Sequence, residues 1–330
     1  MSLKEKINYS IWCDFVERDF LENEFQNLIN DEIIHGATSN PAIFEQSITS
    51  SDAYRQQINM LQANETKKIY EELAISDIKR AAQLLKPLYE NDANDGFISL
   101  EVDPTLCDDA QATIEEGIRL EKQIGYANVM IKVPATNAGY EAMEQLTALG
   151  INVNATLIFS QEQAIKCAKA LNEGIIKSGK DTKGVVSIFV SRFDRTLDAL
   201  MVQKKLEPGK VGIMNALKCY YEIEKIQNNN IRTLFASTGV KGDDLDPSYY
   251  IDNLIYKNTI NTAPLTTIKA WMQNGNKEET TPISEDDCDK YFEKLAKKNI
   301  NIDQVAKQLL NDGLNSFKSS FEVLLKKVKI

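Results

Sequence analysis

What most limits the fold of this chain is an alternation. Eight short apolar or β-branched runs recur along its 330 residues, at Ile11–Asp14, Ile33–Thr38, Phe97–Val102, Val129–Pro134, Ile151–Leu157, Val185–Val190, Thr233–Ala236 and Thr259–Thr262. Helical patterns separate them. Ser160 with Gln163 is a capping box, Ile165, Ala168, Leu171 and Ile175 continue its apolar face, and Gly179 can close the helix. Asp108 or Asp109 caps another helix, whose face includes Ile114, Ile118 and Ile124. Strands alternating with helices imply parallel pairing through helical crossovers. Eight such units predict an α/β fold, a single (β/α)8 TIM barrel, for which the usual length is roughly 250 residues before insertions.

The surplus length fits two long helical patterns within residues 51–89 and a helical tail over about 284–330. Ser284 with Asp287 starts the tail, and Ile302, Val305, Leu309, Leu310, Phe317, Phe321, Leu324 and Val328 continue an apolar stripe. Such a stripe is expected to cover its own barrel rather than a partner. No linker, low-complexity tract or short repeat interrupts the chain, so residues 1–330 read as one domain.

Charge and composition remove several functions. With 38 basic and 48 acidic side chains the net charge is −10, which repels nucleic acid and anionic membranes. The apolar runs are too short to span a bilayer, and the first ten residues lack the apolar stretch of a secretory signal. Cys13, Cys107, Cys167, Cys219 and Cys288 never form a Cys-x-x-Cys pair, which suits free thiols in a cytoplasmic protein. His35 is the single histidine, expected to pack at a strand edge. Histidine triads and multi-histidine metal sites are therefore out of reach.

Within Val129–Pro134, Lys132 stands where apolar neighbours should bury it. A buried ammonium costs several kcal/mol unless it is paired or loses its proton, and a neutral amine attacks carbonyls. The plainer alternative is a lysine that snorkels to solvent or pairs with a carboxylate. Other polar residues gather at strand ends. Asp14 closes the first run; Thr38, Ser39 and Asn40 end the second; Glu101 and Asp103 interrupt the third. Asn152, Asn154 and Thr156 alternate in the fifth, so all three should share one face. Ser187, Ser191 and Arg192 belong to the sixth, and Ser237-Thr238-Gly239 to the seventh. Each alone reads as a turn former, a cap or a core hydroxyl. Together they mark the C-terminal mouth of a barrel, where substrates bind. A buried amine, two carboxylates and a ring of amides and hydroxyls suit carbonyl chemistry on a polyhydroxy substrate.

The same residues carry a family likeness. Gly36-Ala-Thr-Ser-Asn-Pro-Ala-Ile-Phe44 resembles the first signature of the transaldolases, and Val129-Met-Ile-Lys-Val-Pro-Ala-Thr136 resembles the second, which holds their Schiff-base lysine. Glu101-Val-Asp103, Gly150–Phe159 and Ser187–Arg192 also resemble transaldolase segments, in the expected order. The resemblance implies a metal-free barrel without a cofactor. It would move a dihydroxyacetone unit from sedoheptulose 7-phosphate to glyceraldehyde 3-phosphate, giving erythrose 4-phosphate and fructose 6-phosphate, in the pentose phosphate pathway. By matching position, Lys132 forms the imine and Asp14 is the acid/base. Glu101 and Thr156 hold a water for carbinolamine formation. Asn40, Asn154 and Ser187 bind the donor, and Thr38 and Ser237 line the site. Where shorter members place a second phosphate-binding arginine, this chain has Gly239; Arg192 is thus the expected phosphate ligand, with Lys241 of Ser237-Thr-Gly-Val-Lys241 as a second candidate. Some relatives lean toward a homodimer. Three other readings stand beside transfer: an aldolase that splits fructose 6-phosphate and releases dihydroxyacetone, a barrel that binds sugar phosphate without covalent chemistry, and a scaffold acting through its tail.

Overall fold

In the computed structural model, which describes residues 2–329, eight parallel strands close in sequence order. They are β1 (Ser10–Cys13), β2 (Gly36–Thr38), β3 (Phe97–Glu101), β4 (Val129–Pro134), β5 (Val153–Ile158), β6 (Gly184–Phe189), β7 (Ile231–Ala236) and β8 (Thr259–Ala263). β1 pairs with both β2 and β8, so no sheet edge remains. All eight expected strands are present, shifted by a residue or two at most ends. Met1 and Ile330, the ends of the expected domain span, lie outside the described residues.

Local chemistry sets the ends of the elements that follow the strands. Asn40 caps the helix Pro41–Ser50 by accepting from Ile43 N at 3.0 Å, and Pro41 takes the first helical position, where no N–H is needed. Ser160 and Gln163 form the anticipated capping box, and Gly179 ends that helix at φ 60°. Of the two candidate aspartates, Asp109 caps the helix Ala110–Ile124. At Gly36 the backbone passes so close to Trp12 that a Cβ would lie 2.6 Å from the indole, which leaves only glycine there.

Three local expectations need correction. The second strand starts at Gly36 rather than Ile33, because Ile33 and Ile34 close a turn by donating to Leu28 O. On the helix Ala110–Ile124 the buried positions are Thr113, Glu116, Gly117, Leu120 and Ile124, while Ile118 is 38% exposed. Gly117 belongs to the packed face because Leu146 presses on it, at 2.9 Å from where a Cβ would stand. In β5 the register shifts between Ala155 and Ile158, and Leu157 takes φ 57°. Alternation therefore fails there: Leu157 packs with Phe159, Phe189 and Phe317. Asn152 precedes the strand and donates to Ala127 O and Val129 O instead of joining Asn154 and Thr156. The C-terminal helices over about 284–330 are two, Glu285–Lys297 and Ile302–Lys327, parted where Asn299 takes φ 56° and Asn301 caps anew.

Residues of the tail stripe pack in clusters with strand residues. Leu309, Phe317, Phe321, Leu324 and Val328 are buried, and they join the clusters that also contain strand residues. The other end of the barrel is plugged by charge. Arg232, at the start of β7, donates to Asn8 O, Thr259 O, Asn94 O and Ser10 Oγ and approaches Asp95 at 3.3 Å. Asp95 also accepts from Ser10 Oγ at 2.8 Å and pairs with Lys4. A buried guanidinium is tolerable only with this degree of pairing. His35 precedes β2 near this floor, and burial holds its imidazole below the usual range.

Candidate active site

Lys132 lies in the C-terminal half of β4, opposite Glu101 of β3 and Asn154 of β5. Three neighbouring strands thus bring an amine, a carboxylate and an amide to one level of the barrel. Lys132 is 5% exposed and Glu101 6%. The lysine Nζ donates to Ser39 O at 3.0 Å and stands 3.4 Å from Glu101 Oε2. That separation makes an ion pair without a hydrogen bond, and both Glu101 Oε2 and Thr156 Oγ1 are buried without a hydrogen-bond partner in the chain. Two polar atoms in that condition, on the strands that flank the one bearing the amine, are suited to grip a polar group of a substrate or a water.

Asp14 follows β1, its N–H donating to Ala263 O as though the ladder ran one residue further. Its Oδ1 accepts from Thr38 Oγ1 at 2.6 Å, and Thr38 Oγ1 also meets Thr262 Oγ1 at 2.7 Å. Across the lumen, Ser187 Oγ donates to Asn154 Oδ1 at 2.6 Å, and Asn154 Nδ2 donates to Ser99 Oγ at 3.0 Å. These bonds fix the rotamers of the site before any ligand arrives.

The two carboxylates differ in environment. Burial pushes Glu101 up to about 7, against the pull of Lys132 and with some push from Asp14. Asp14 is also raised by burial, but Lys132 and the Thr38 hydroxyl hold it down. Both carboxyls are thus raised by burial and opposed by the same lysine, and they differ in the hydroxyl bond that Asp14 alone accepts.

A cavity of about 100 Å³ joins these groups, lined by Asp14, Thr38, Asn40, Lys132, Thr156, Ser187, Phe189, Arg192, Ala236, Ser237, Thr262 and Phe317. Arg192 opens the helix Ser191–Gln203 after β6, with its guanidinium 5.0 Å from the Phe189 ring and 6.0 Å from that of Phe159. Ser237 turns the chain after β7 at φ 55°, and its hydroxyl lies 3.2 Å from Ser191 Oγ. The cavity therefore carries a buried amine at its base and a guanidinium on its wall. A larger opening of about 710 Å³, bounded by Phe159, Lys218, Phe292, Ile302 and Asp303 among others, brings no buried amine and carboxylate together.

Eight of the eleven residues expected from the sequence line this cavity. Glu101 and Asn154 join it through Lys132, Ser187 and Ser99. Lys241 does not: it is exposed on the loop after β7 and absent from the lining. Sequence reasoning missed Ser99, Thr262, Phe189 and Phe317. Thr262 ends a strand, and Phe317 sits in the tail stripe, so both had a positional signal. Among the described residues no group of three or more His, Cys, Asp or Glu is placed to hold a metal ion.

Comparison with known proteins adds a second line. A family model described as transaldolase/fructose-6-phosphate aldolase matches residues 11–328. A transaldolase of Helicobacter pylori (strain Shi470) is 48% identical over 317 residues, which is 96% of this chain and 98% of that protein. A transaldolase of Campylobacter jejuni (strain RM1221) is 47% identical over 335 residues, covering 97% of this chain and 99% of that one.

Proposed function

This chain belongs to the transaldolase/fructose-6-phosphate aldolase family, and from that premise we propose that Lys132 is the amine on which its transfer chemistry runs. The activity is that of a transaldolase acting on sugar phosphates. A dihydroxyacetone unit passes reversibly from sedoheptulose 7-phosphate to glyceraldehyde 3-phosphate, leaving erythrose 4-phosphate and forming fructose 6-phosphate. One observation carries the residue assignment. The Lys132 amine is buried 3.4 Å from Glu101 and opens on the same cavity as Asp14.

In this reading the ketose carbonyl condenses with Lys132 and loses water, and Glu101 with Thr156 handles that water. The protonated imine is an electron sink, so cleavage of the adjacent carbon–carbon bond leaves an enamine rather than a bare carbanion. Asp14 accepts the proton of the cleaved carbinol and returns it to the incoming aldehyde, and Thr38 and Thr262 hold it in place. Asn154, Ser187 and Asn40 bind the hydroxyls of the three-carbon unit, and Ser237 borders it. Arg192 takes the phosphate, and the exposed position of Lys241 supports leaving the charge to Arg192 alone.

Borohydride reduction with fructose 6-phosphate tests the assignment. A three-carbon adduct mapped to Lys132 is expected in the wild type, and none in Lys132→Ala with its melting transition retained. Failure to trap any adduct at saturating donor would leave a barrel that binds sugar phosphate without covalent chemistry.

The remaining assignments are broader. The proposal treats residues 1–330 as one barrel domain with the tail helices packed on it. The net charge of −10 supports small anions admitted by a local cation rather than nucleic acid. Five free cysteines support a reducing compartment such as the cytoplasm, and no described helix is long and apolar enough to cross a membrane. A homodimer rests on the family resemblance, and the mass in solution decides it.

A further inference from the structure

The helix Ile302–Lys327 reaches the open end of the barrel, and two of its residues, one turn apart, meet the site. Phe317 is 4% exposed, borders the cavity, and holds its ring centroid 5.9 Å from Lys132 Nζ. At Gly313 a Cβ would stand 3.0 Å from Leu157 Cδ2 and 3.3 Å from Arg192 Nη1. The helix is therefore seated against the site without slack. Its far end is tied to the segment after β2. Phe321 meets Tyr70 edge-on at 5.3 Å, Lys327 pairs with Glu45 at 2.8 Å, and Gln62 donates to Val328 O at 3.1 Å. Every other residue bordering the cavity comes from a barrel strand or the few residues after one. Phe317 alone is brought from the tail.

We propose that Phe317 determines how the three-carbon enamine divides between transfer to an aldehyde and loss to water, an inference that rests on the Schiff-base reading above. The two fates need different reagents at one carbon. In transfer, the enamine carbon forms its new bond to the aldehyde carbon, and the aldehyde oxygen takes the proton held by Asp14. In loss, the same carbon takes a proton from solvent and becomes an iminium. A water then adds to the iminium carbon and releases a proton, and collapse of the carbinolamine returns the lysine amine and frees dihydroxyacetone. The new ketose leaves its own iminium by the same addition of one water, so the two routes differ only in what the enamine carbon bonds to. A phenyl face beside Lys132 Nζ occupies space from which solvent would otherwise supply the proton, and closed apolar walls suppress side reactions of this kind. Phe317 is a specificity-determining residue here, not a proton carrier.

The test uses the full chain as wild type, Phe317→Leu and Phe317→Ala, with fructose 6-phosphate as donor and erythrose 4-phosphate as acceptor. Free dihydroxyacetone is measured per sedoheptulose 7-phosphate formed. This ratio does not depend on how much protein is folded, so a merely structural defect leaves it unmoved. In Phe317→Ala the ratio is expected to rise about tenfold, equivalent to about 1.4 kcal/mol between the two barriers, with Phe317→Leu between. An unchanged ratio, with the Lys132 adduct still trapped, overturns the inference and leaves the Schiff-base reading standing. If Phe317→Ala does not fold, the ratio in Phe317→Leu decides by the same criterion. No adduct in any of the three proteins removes the reading itself, and the inference with it.

Discussion

Replacing Glu101 by Gln keeps the shape of the side chain and removes its ionisation, which isolates the effect of its burial. The carboxyl is pushed from 4.5 to about 7 in the folded protein, chiefly by burial, with Lys132 opposing. A raised carboxyl favours the folded state while it is protonated, since the unfolded chain binds fewer protons between the two values. The stabilisation is full below pH 4.5 and is lost as the pH climbs to about 7. At about 1.4 kcal/mol per unit, the loss across that window is about 3 kcal/mol. Urea unfolding of the wild type and Glu101→Gln at pH 5 and pH 8 gives the double difference. The wild type should lose about 3 kcal/mol more than the variant between those conditions. The same ionisation should appear in kinetics as an acid limb near pH 7 in kcat/KM for the donor, absent in whatever activity the variant retains. Parallel stability curves for the two proteins would refute the claim that burial outweighs the lysine at Glu101.

Asp14→Asn should reduce kcat by about 10²- to 10⁴-fold, the range for removing a positioned acid/base; steady-state assays in both directions read it, and a change confined to KM would reassign Asp14 to binding. Arg192→Ala should raise KM for phosphorylated donors about 10- to 100-fold, as expected for a charge-assisted hydrogen bond, while dihydroxyacetone-type donors without phosphate are little affected. Lys241→Ala run beside it should leave both KM values unchanged, and a shift for the phosphorylated donor would return Lys241 to the site.

The barrel itself was legible because each strand carries a compact β-branched or apolar run and each crossover a cap. Lys132, Asp14 and Glu101 were legible for the converse reason: ionisable side chains inside such runs have few structural excuses. Asn152 was misplaced because alternation counts residues, whereas β5 begins at Val153 and the Asn152 amide turns back to Ala127 O and Val129 O. Ile118 misled because an isoleucine at helical spacing looks buried, whereas the neighbouring helix accepts only Gly117 at that point. Arg232 escaped notice altogether. Its partners Asn8, Asn94, Asp95 and Thr259 come from widely separated parts of the chain, so no local pattern announces them. Phe317 was visible as part of the tail stripe, but its contact with Lys132, spanning half the sequence, was not.

The guanidinium stopper below the barrel has a kinetic corollary. Arg232, Asp95 and Lys4 fill one end of the lumen, and the cavity lies toward the other, where the strands end. On the mechanism proposed above, the first aldehyde leaves and the second enters by that same mouth, while the fragment tethered to Lys132 waits between them. Two half-reactions separated by an exchange of visitors are then a matter of plumbing as much as of chemistry.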